Sequence, residues 1–222
     1  FSLALPIVIL FVLGGVFGNQ PTPKGWAGVG AMSFYVPAYV ALVIASVGLI
    51  SVPTHLAGNR ERGVLNRYHA SGVPVWADVG SQAVVVLVLA TVSALLLLLA
   101  AAIAYDFRAP GSYPGVVGAV LLAGLTFAAL GVLLGAELPT ARAAQAVGVL
   151  AWFVLLLLGG AGPPYEVMGR GMQTAAGWTL LRLVVRVFHD RLLGLDPGRS
   201  WLVVNVFCVV AAVLALRFFR WE

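Results

Sequence analysis

Charge is what this sequence has least of. Asp, Glu, Lys and Arg make up 9% of its 222 residues, against about 25% in a soluble globular domain, and residues 26–53 and 79–105 contain none at all. With 61% hydrophobic residues and a mean hydropathy of +1.02, a soluble fold is excluded. The composition predicts an all-α, polytopic membrane protein. Cysteine is almost absent too: Cys208 stands alone, so no intrachain disulfide and no Cys-based metal site can form. It lies in an apolar run and reads as a small packing residue. Lys24 is the sole lysine, and no Gly-x-x-x-x-Gly-Lys-Ser/Thr loop exists to hold ATP phosphates. His-Glu-x-x-His and Gly-x-Ser-x-Gly are missing as well, and His55, His69 and His189 are scattered. The chain therefore reads as no enzyme. Its acids Asp78, Asp106, Glu137 and Glu166 fall near the ends of apolar runs, which tells against ion-coupled transport. Asp78, the nearest to a buried acid, is expected to snorkel or to pair with an arginine of the neighbouring basic loop. The formal net charge of +5 comes from arginines flanking apolar runs, as membrane orientation requires, and nucleic acid is not an expected partner.

What is present is a series of apolar runs. At roughly 20 residues per span, the length accommodates about six helices with short loops in a single domain. The predicted spans are 1–17, 26–52, 75–105, 115–135, 143–162 and 201–216. Phe1 opens in hydrophobic sequence without an initiator Met or a basic segment, so the first span is expected to be entered partway, with a missing N-terminus, and not to be a signal peptide. Pro37 and Pro53 invite kinks in the second span. Trp26 is placed for an interfacial belt. The pair Gly131 and Gly135 has the small-x-x-x-small spacing that allows close helix contact and reads as packing within the chain.

One polar break, 56–74, stands between two charge-free runs. Arg60, Glu61, Arg62 and Arg67 fall within it, and Val64, Leu65 and Tyr68 recur at the spacing of one face of a short helix. A basic loop of this kind commonly does no more than mark the cytoplasmic side. The order of residues says more. Arg60-Glu61-Arg62-Gly63-Val64-Leu65-Asn66-Arg67, followed by Ala70-Ser71-Gly72 and Pro74, resembles the coupling loop of the type-two ATP-binding-cassette export permeases, which reads roughly Arg-Glu-x-Gly-Thr/Val-Leu-x-Arg-Leu, then a small residue and Pro. Tyr68 stands where Leu is usual, and Ser71-Gly72-Val73-Pro74 replaces the commoner Thr-Pro.

The interval 163–199 is the longest polar stretch. After Gly159-Gly160-Ala161-Gly162-Pro163-Pro164, the residues Trp178, Leu181, Val185, Phe188 and Leu192 form an apolar helical stripe, with Arg182, Arg186 and Asp190 on another face. This predicts an amphipathic helix on or in the outer leaflet. The glycine-rich Pro-Pro segment, the amphipathic stretch and the Asp-x-x-Leu-Gly that follows are similar to the extracellular region of bacterial, actinobacterial-type members of the same family. Gly177-Trp178 stands where those proteins carry another Pro.

The resemblance implies a permease subunit of an ATP-driven exporter working by alternating access. Its partners would be separately encoded cytoplasmic ATPase subunits carrying ATP and Mg, and a second permease copy or homologous permease. Arg60, Glu61, Arg62, Val64, Leu65, Arg67 and Tyr68 would form the coupling helix of the 60–69 loop, its apolar face seated in an ATPase groove and its charges fixing the register. Trp178, Arg182, Arg186 and Phe188 would form either an outer gate or a plug that only closes the ends of the fifth and sixth helices. The family's substrates are drugs, lipids or lipid-linked glycans, and a Gly- and Leu-rich lining favours a hydrophobic or amphipathic one. A secondary transporter or channel acting alone, and a membrane scaffold subunit, are the alternatives from other classes.

Short loops set the orientation. Placing the 55–74 and 137–142 loops and the tail inside collects Arg60, Arg62, Arg67, Arg142, Arg217 and Arg220 there, against Lys24 and Arg108 outside. Both termini are then expected to be cytoplasmic in the cell membrane. In a Cys208→Ala background, Ser112→Cys and Gln173→Cys should be labelled from outside sealed cells and Asn66→Cys spared; labelling at 66 overturns this topology.

Overall fold

The computed structural model describes residues 31–72, 74–105, 111–162, 168–192, 194–196 and 198–219, with positions 8, 11, 12 and 15 near the start. Most of the predicted first span, the 19–25 turn, Trp26, Asp106, Arg108, residues 163–167 with Glu166, and Arg220 lie outside the described residues. Those described are helical, with no strand among them: α1 (Ala31–Ser46), a π-helical turn (Val47–Ser51), α2 (Val52–Glu61), α3 (Val64–Ala70), α4 (Val75–Tyr105), α5 (Tyr113–Glu137), α6 (Ala141–Leu158), α7 (Arg170–Gly177), α8 (Leu180–Leu192) and α9 (Gly198–Phe218). The segments Tyr35–Glu61, Val75–Tyr105, Tyr113–Glu137, Ala141–Leu158 and Gly198–Phe218 are long and apolar enough to cross a membrane. The remaining expected span, the first, lies mostly outside the described residues.

The centre of the bundle is the continuous rod of α1, the π turn and α2. From Tyr35 to Ile50 it is buried on all sides, packed by α4, α5, α6 and α8. The sequence reading ended this span at Val52; the helix runs nine residues further, to Glu61, because Thr54 to Glu61 contains nothing that stops a helix and the charges at its end are good helix formers.

Pro53 explains the π turn. It has no N–H to give to the carbonyl of Leu49, four residues back, or of Gly48, five back. The N–H of Val52 reaches Val47 O, and Thr54 Oγ1 donates to Ile50 O at 2.6 Å. Backbone polar groups left open in a membrane interior are costly. Here the neighbours close on them: a Cβ on Gly131 of α5 would collide with Gly48 O, and one on Gly148 of α6 with Leu49 O. Gly135 repeats the contact one turn along, against Leu56 and Pro53. The Gly131 and Gly135 spacing thus serves packing inside the chain, the use expected of small residues where lipid removes the hydrophobic drive between helices. Trp152 of α6 adds a hydrogen bond from Nε1 to Leu42 O at 3.1 Å.

The outer helices turn apolar side chains outward: Val84, Val88 and Leu95 on α4, Leu150 and Phe153 on α6, Leu202, Val206 and Val209 on α9. Their limits are set by local chemistry. Ser112 Oγ accepts from Gly115 N and Pro114 sits in the first turn of α5; Thr140 Oγ1 accepts from Ala143 N at the start of α6. α6 stops at Leu158, short of the expected 162, where Gly160 turns with φ +86°.

The glycine contacts make a stability prediction. Gly131→Ala must push a carbonyl or a helix aside and should cost about 1–3 kcal/mol, read as a clear drop in melting temperature in detergent. Gly80→Ala, which meets open space, should leave it within error; equal effects would refute the close approach.

Candidate functional site

The polar break folds as a helix, a corner and a short helix. α2 ends at Glu61, Arg62 and Gly63 turn, and α3 begins at Val64. Gly63 has φ +68° and its N–H donates to Arg60 O at 2.9 Å. This is a left-handed C-terminal cap, which glycine adopts without a Cβ penalty. Gly72, φ +75°, follows α3, whose last turn is tied by Ser71 Oγ donating to Arg67 O at 2.8 Å. The expected single helix over 60–68 is therefore corrected: Arg60 and Glu61 end the central rod, and only Val64 to Ala70 forms the short helix.

Arg60 and Glu61 reach the α5–α6 corner. The Arg60 guanidinium donates to Ala136 O at 2.8 Å and to Leu138 O, at the C-terminal end of α5. The Glu61 carboxylate accepts from Ala141 N at 3.1 Å, at the N-terminal end of α6. Each charge sits at the helix end whose dipole it complements, so one dipeptide clamps two helix ends of opposite polarity. Arg62 bonds to Asn59 Oδ1 at 2.8 Å.

On α3 the three expected apolar contacts separate. Leu65 is fully buried in this chain's own core, in one cluster with Val52, Leu56, Val86 and Val132, so it anchors the helix and cannot face a partner. Val64 is half-buried. Asn66, Arg67 and Tyr68 are exposed. The reason is register: a helix of two turns shows one face inward, and Leu65 occupies it.

Two clefts flank α2 and share Ser51 and His55. One, of about 630 Å³, opens between α2 and α6 and is lined also by Thr54, Gly58, Arg62 and Gln145. The other, of about 520 Å³, opens between α2 and α4, with Asn59, Tyr68, Asp78 and Gln82 on its walls. Asp78 corrects the sequence reading. It is 8% exposed, and among the described residues it pairs with no arginine and its Oδ2 has no hydrogen-bond partner. It faces the cleft whose other wall carries His55 and Asn59 of α2 and Tyr68 of α3, an arrangement that no local pattern announces.

At the opposite end of the bundle, the amphipathic helix α8 packs its apolar side into the chain against α1, α5 and α9. Leu181, Val184, Val187, Phe188 and Leu192 are buried; Val185 of the expected stripe is only half-buried, and Trp178, 84% exposed, sits in the turn before α8 and does not join it. Arg182 lies beside the Gly160 turn, and Arg186 is exposed. Sequence reasoning missed Arg191, which stands 5.2 Å over the Trp201 ring, and the closure of this end by Gly111 N donating to Leu192 O at 2.9 Å.

Among the described residues no three His, Cys, Asp or Glu side chains gather into a metal site. The family model described as ABC-2 type transporter matches residues 1–191. No curated protein matches the chain.

The clamp is testable without any partner. Arg60→Gln removes two charge-assisted bonds, worth about 1 kcal/mol at this partly exposed position, and amide exchange at 138–144 should rise roughly fivefold while α4 and α9 keep their protection. Unchanged exchange at the corner would remove the clamp.

Proposed function

The chain belongs to the ABC-2 type transporter family and is a membrane permease subunit of an ABC transporter; from this premise we propose that it exports a hydrophobic or amphipathic substrate by alternating access, driven by ATPase subunits docked on α3. The family pairs with an ABC ATPase and often with a second permease. ATP and Mg²⁺ would act on the ATPase, because this sequence has no phosphate-binding loop.

The observation that carries the reading is the mounting of α3. Its inward residue, Leu65, is rooted in the core, while Arg67 and Tyr68 of the same two turns remain exposed. The corner glycine joins it to α2, and α2 is clamped through Arg60 and Glu61 to the ends of α5 and α6. A load on α3 is thereby passed to three spanning helices at once. Arg62, Arg67, Tyr68 and the half-buried Val64 are the residues that would meet the ATPase. Arg60, Glu61 and Leu65, which the family resemblance would also place at the interface, act here behind it as positioning residues. The excess of arginine in the 55–74 and 137–142 loops supports a cytoplasmic position for this end. At the other end, α8 seals the bundle, and Arg182 and Arg186 are where an exit gate would act.

Arg67→Glu combined with Tyr68→Ala changes only exposed side chains. ATPase subunits should fail to co-purify from detergent extract, and ATP hydrolysis by the extracted complex should fall at least tenfold, while the permease still inserts. Normal co-purification would sink the docking assignment.

A further inference from the structure

The α2–α4 cleft holds a group that neither the coupling corner nor the packing of the bundle uses. Asp78 lies on its wall, more than nine-tenths buried, with Oδ2 unpartnered among the described residues. A carboxylate in that position is costly unless an opposite charge joins it; among the described residues no arginine does, and the one basic side chain on the same walls is the exposed imidazole of His55. Beside it stand the amide groups of Gln82 and Asn59 and the phenol of Tyr68, and the wall continues into Val85 and Leu89 further along α4.

Polarity is thus graded along one cleft. The hydrogen-bonding groups gather at the end of α2 and the start of α4, where the polar break meets the spans, and the apolar groups lie deeper. Its volume of about 520 Å³ falls within the roughly 300–1,000 Å³ of small-molecule sites. An anion would meet Asp78 head-on, and a neutral lipid would leave it uncompensated. A cation of hydrated metal size would leave the apolar end empty and would find one carboxylate where several oxygens are needed.

We propose that this cleft is a binding site for a lipophilic amine, its ammonium group bonded to Asp78 Oδ2 with Gln82 and Asn59 as further acceptors, and its alkyl or aryl part laid along Val85 and Leu89. That such an amine is cargo rests on the transport reading above; that the cleft binds it does not. The site belongs to one chain and is separate from the α2–α6 cleft on the other side of His55.

The test uses the full chain in nanodiscs of zwitterionic lipid, titrated by calorimetry with dodecylammonium, with dodecyl sulfate and dodecyl maltoside as controls of equal chain length. Saturable binding of one ammonium per chain is expected. It should weaken at least tenfold in Asp78→Asn, which keeps the shape and removes the charge, and in Val85→Trp, which blocks the cleft from an exposed position. If Asp78→Asn does not fold, Val85→Trp decides alone. Absence of saturable binding, equal affinity in the variants, or equal binding of the sulfate or maltoside overturns the proposal. ATPase co-purification is untouched by any of these results, so the two readings fail separately.

Discussion

The structure depends on how a helix passes a proline in a place without water. Pro53 has no N–H for Leu49 O, the N–H of Val52 goes to Val47 O instead of Gly48 O, and lipid can supply no donor. The chain answers with a π turn in the rod and with glycines on two neighbours, Gly131 and Gly148, whose backbones close over those carbonyls. Such contacts work only at distances a side chain forbids. The positions of α5 and α6 are therefore fixed to the rod at the level of the π turn, and Gly135, Trp152 and Phe127 build outward from it.

Below that level the rod must leave the bilayer. From Ala31 to Glu61 it would be about 45 Å long at 1.5 Å per residue, more than the roughly 30 Å of the hydrocarbon core. Its last turns therefore reach water, and there the means of attachment change from glycine contact to charge. Arg60 and Glu61 hold the α5–α6 corner by the two ends of its helix dipoles. One helix is thus bound to the same two neighbours twice, by shape in the membrane and by charge outside it.

Much of this was legible in the sequence, and the failures have a common cause. The apolar runs marked the spans, and Gly131 and Gly135 the close packing; the capping of α5 and α6 by Ser112 and Thr140 was not read from the sequence. The 56–74 break was seen as one polar element, but residues 56–61 close the spanning rod. Arg60 and Glu61 were assigned to the short helix of the break because they are charged and follow the apolar run, yet the rod stops only where Gly63 turns left-handed. Leu65 and Tyr68 share a spacing, but which of them faces inward depends on α4 and α5. In α8, Val184, Val185 and Val187 all fit a helical stripe with Leu181 and Phe188, and periodicity cannot choose among adjacent valines. The burial of Asp78 depends on the tertiary arrangement around the α2–α4 cleft and has no local mark.

Among the described helices, the rod of α1 and α2 also precedes all those that enclose it. α4, α5, α6 and α8 are all made later, and synthesis delivers them one at a time. Until α5 and α6 arrive, neither Gly131 nor Gly148 is there to cover Gly48 and Leu49. The π turn is then a feature of the finished bundle and not of the nascent helix, and among the spans described here the one made earliest takes its final shape only after most of the others are in place.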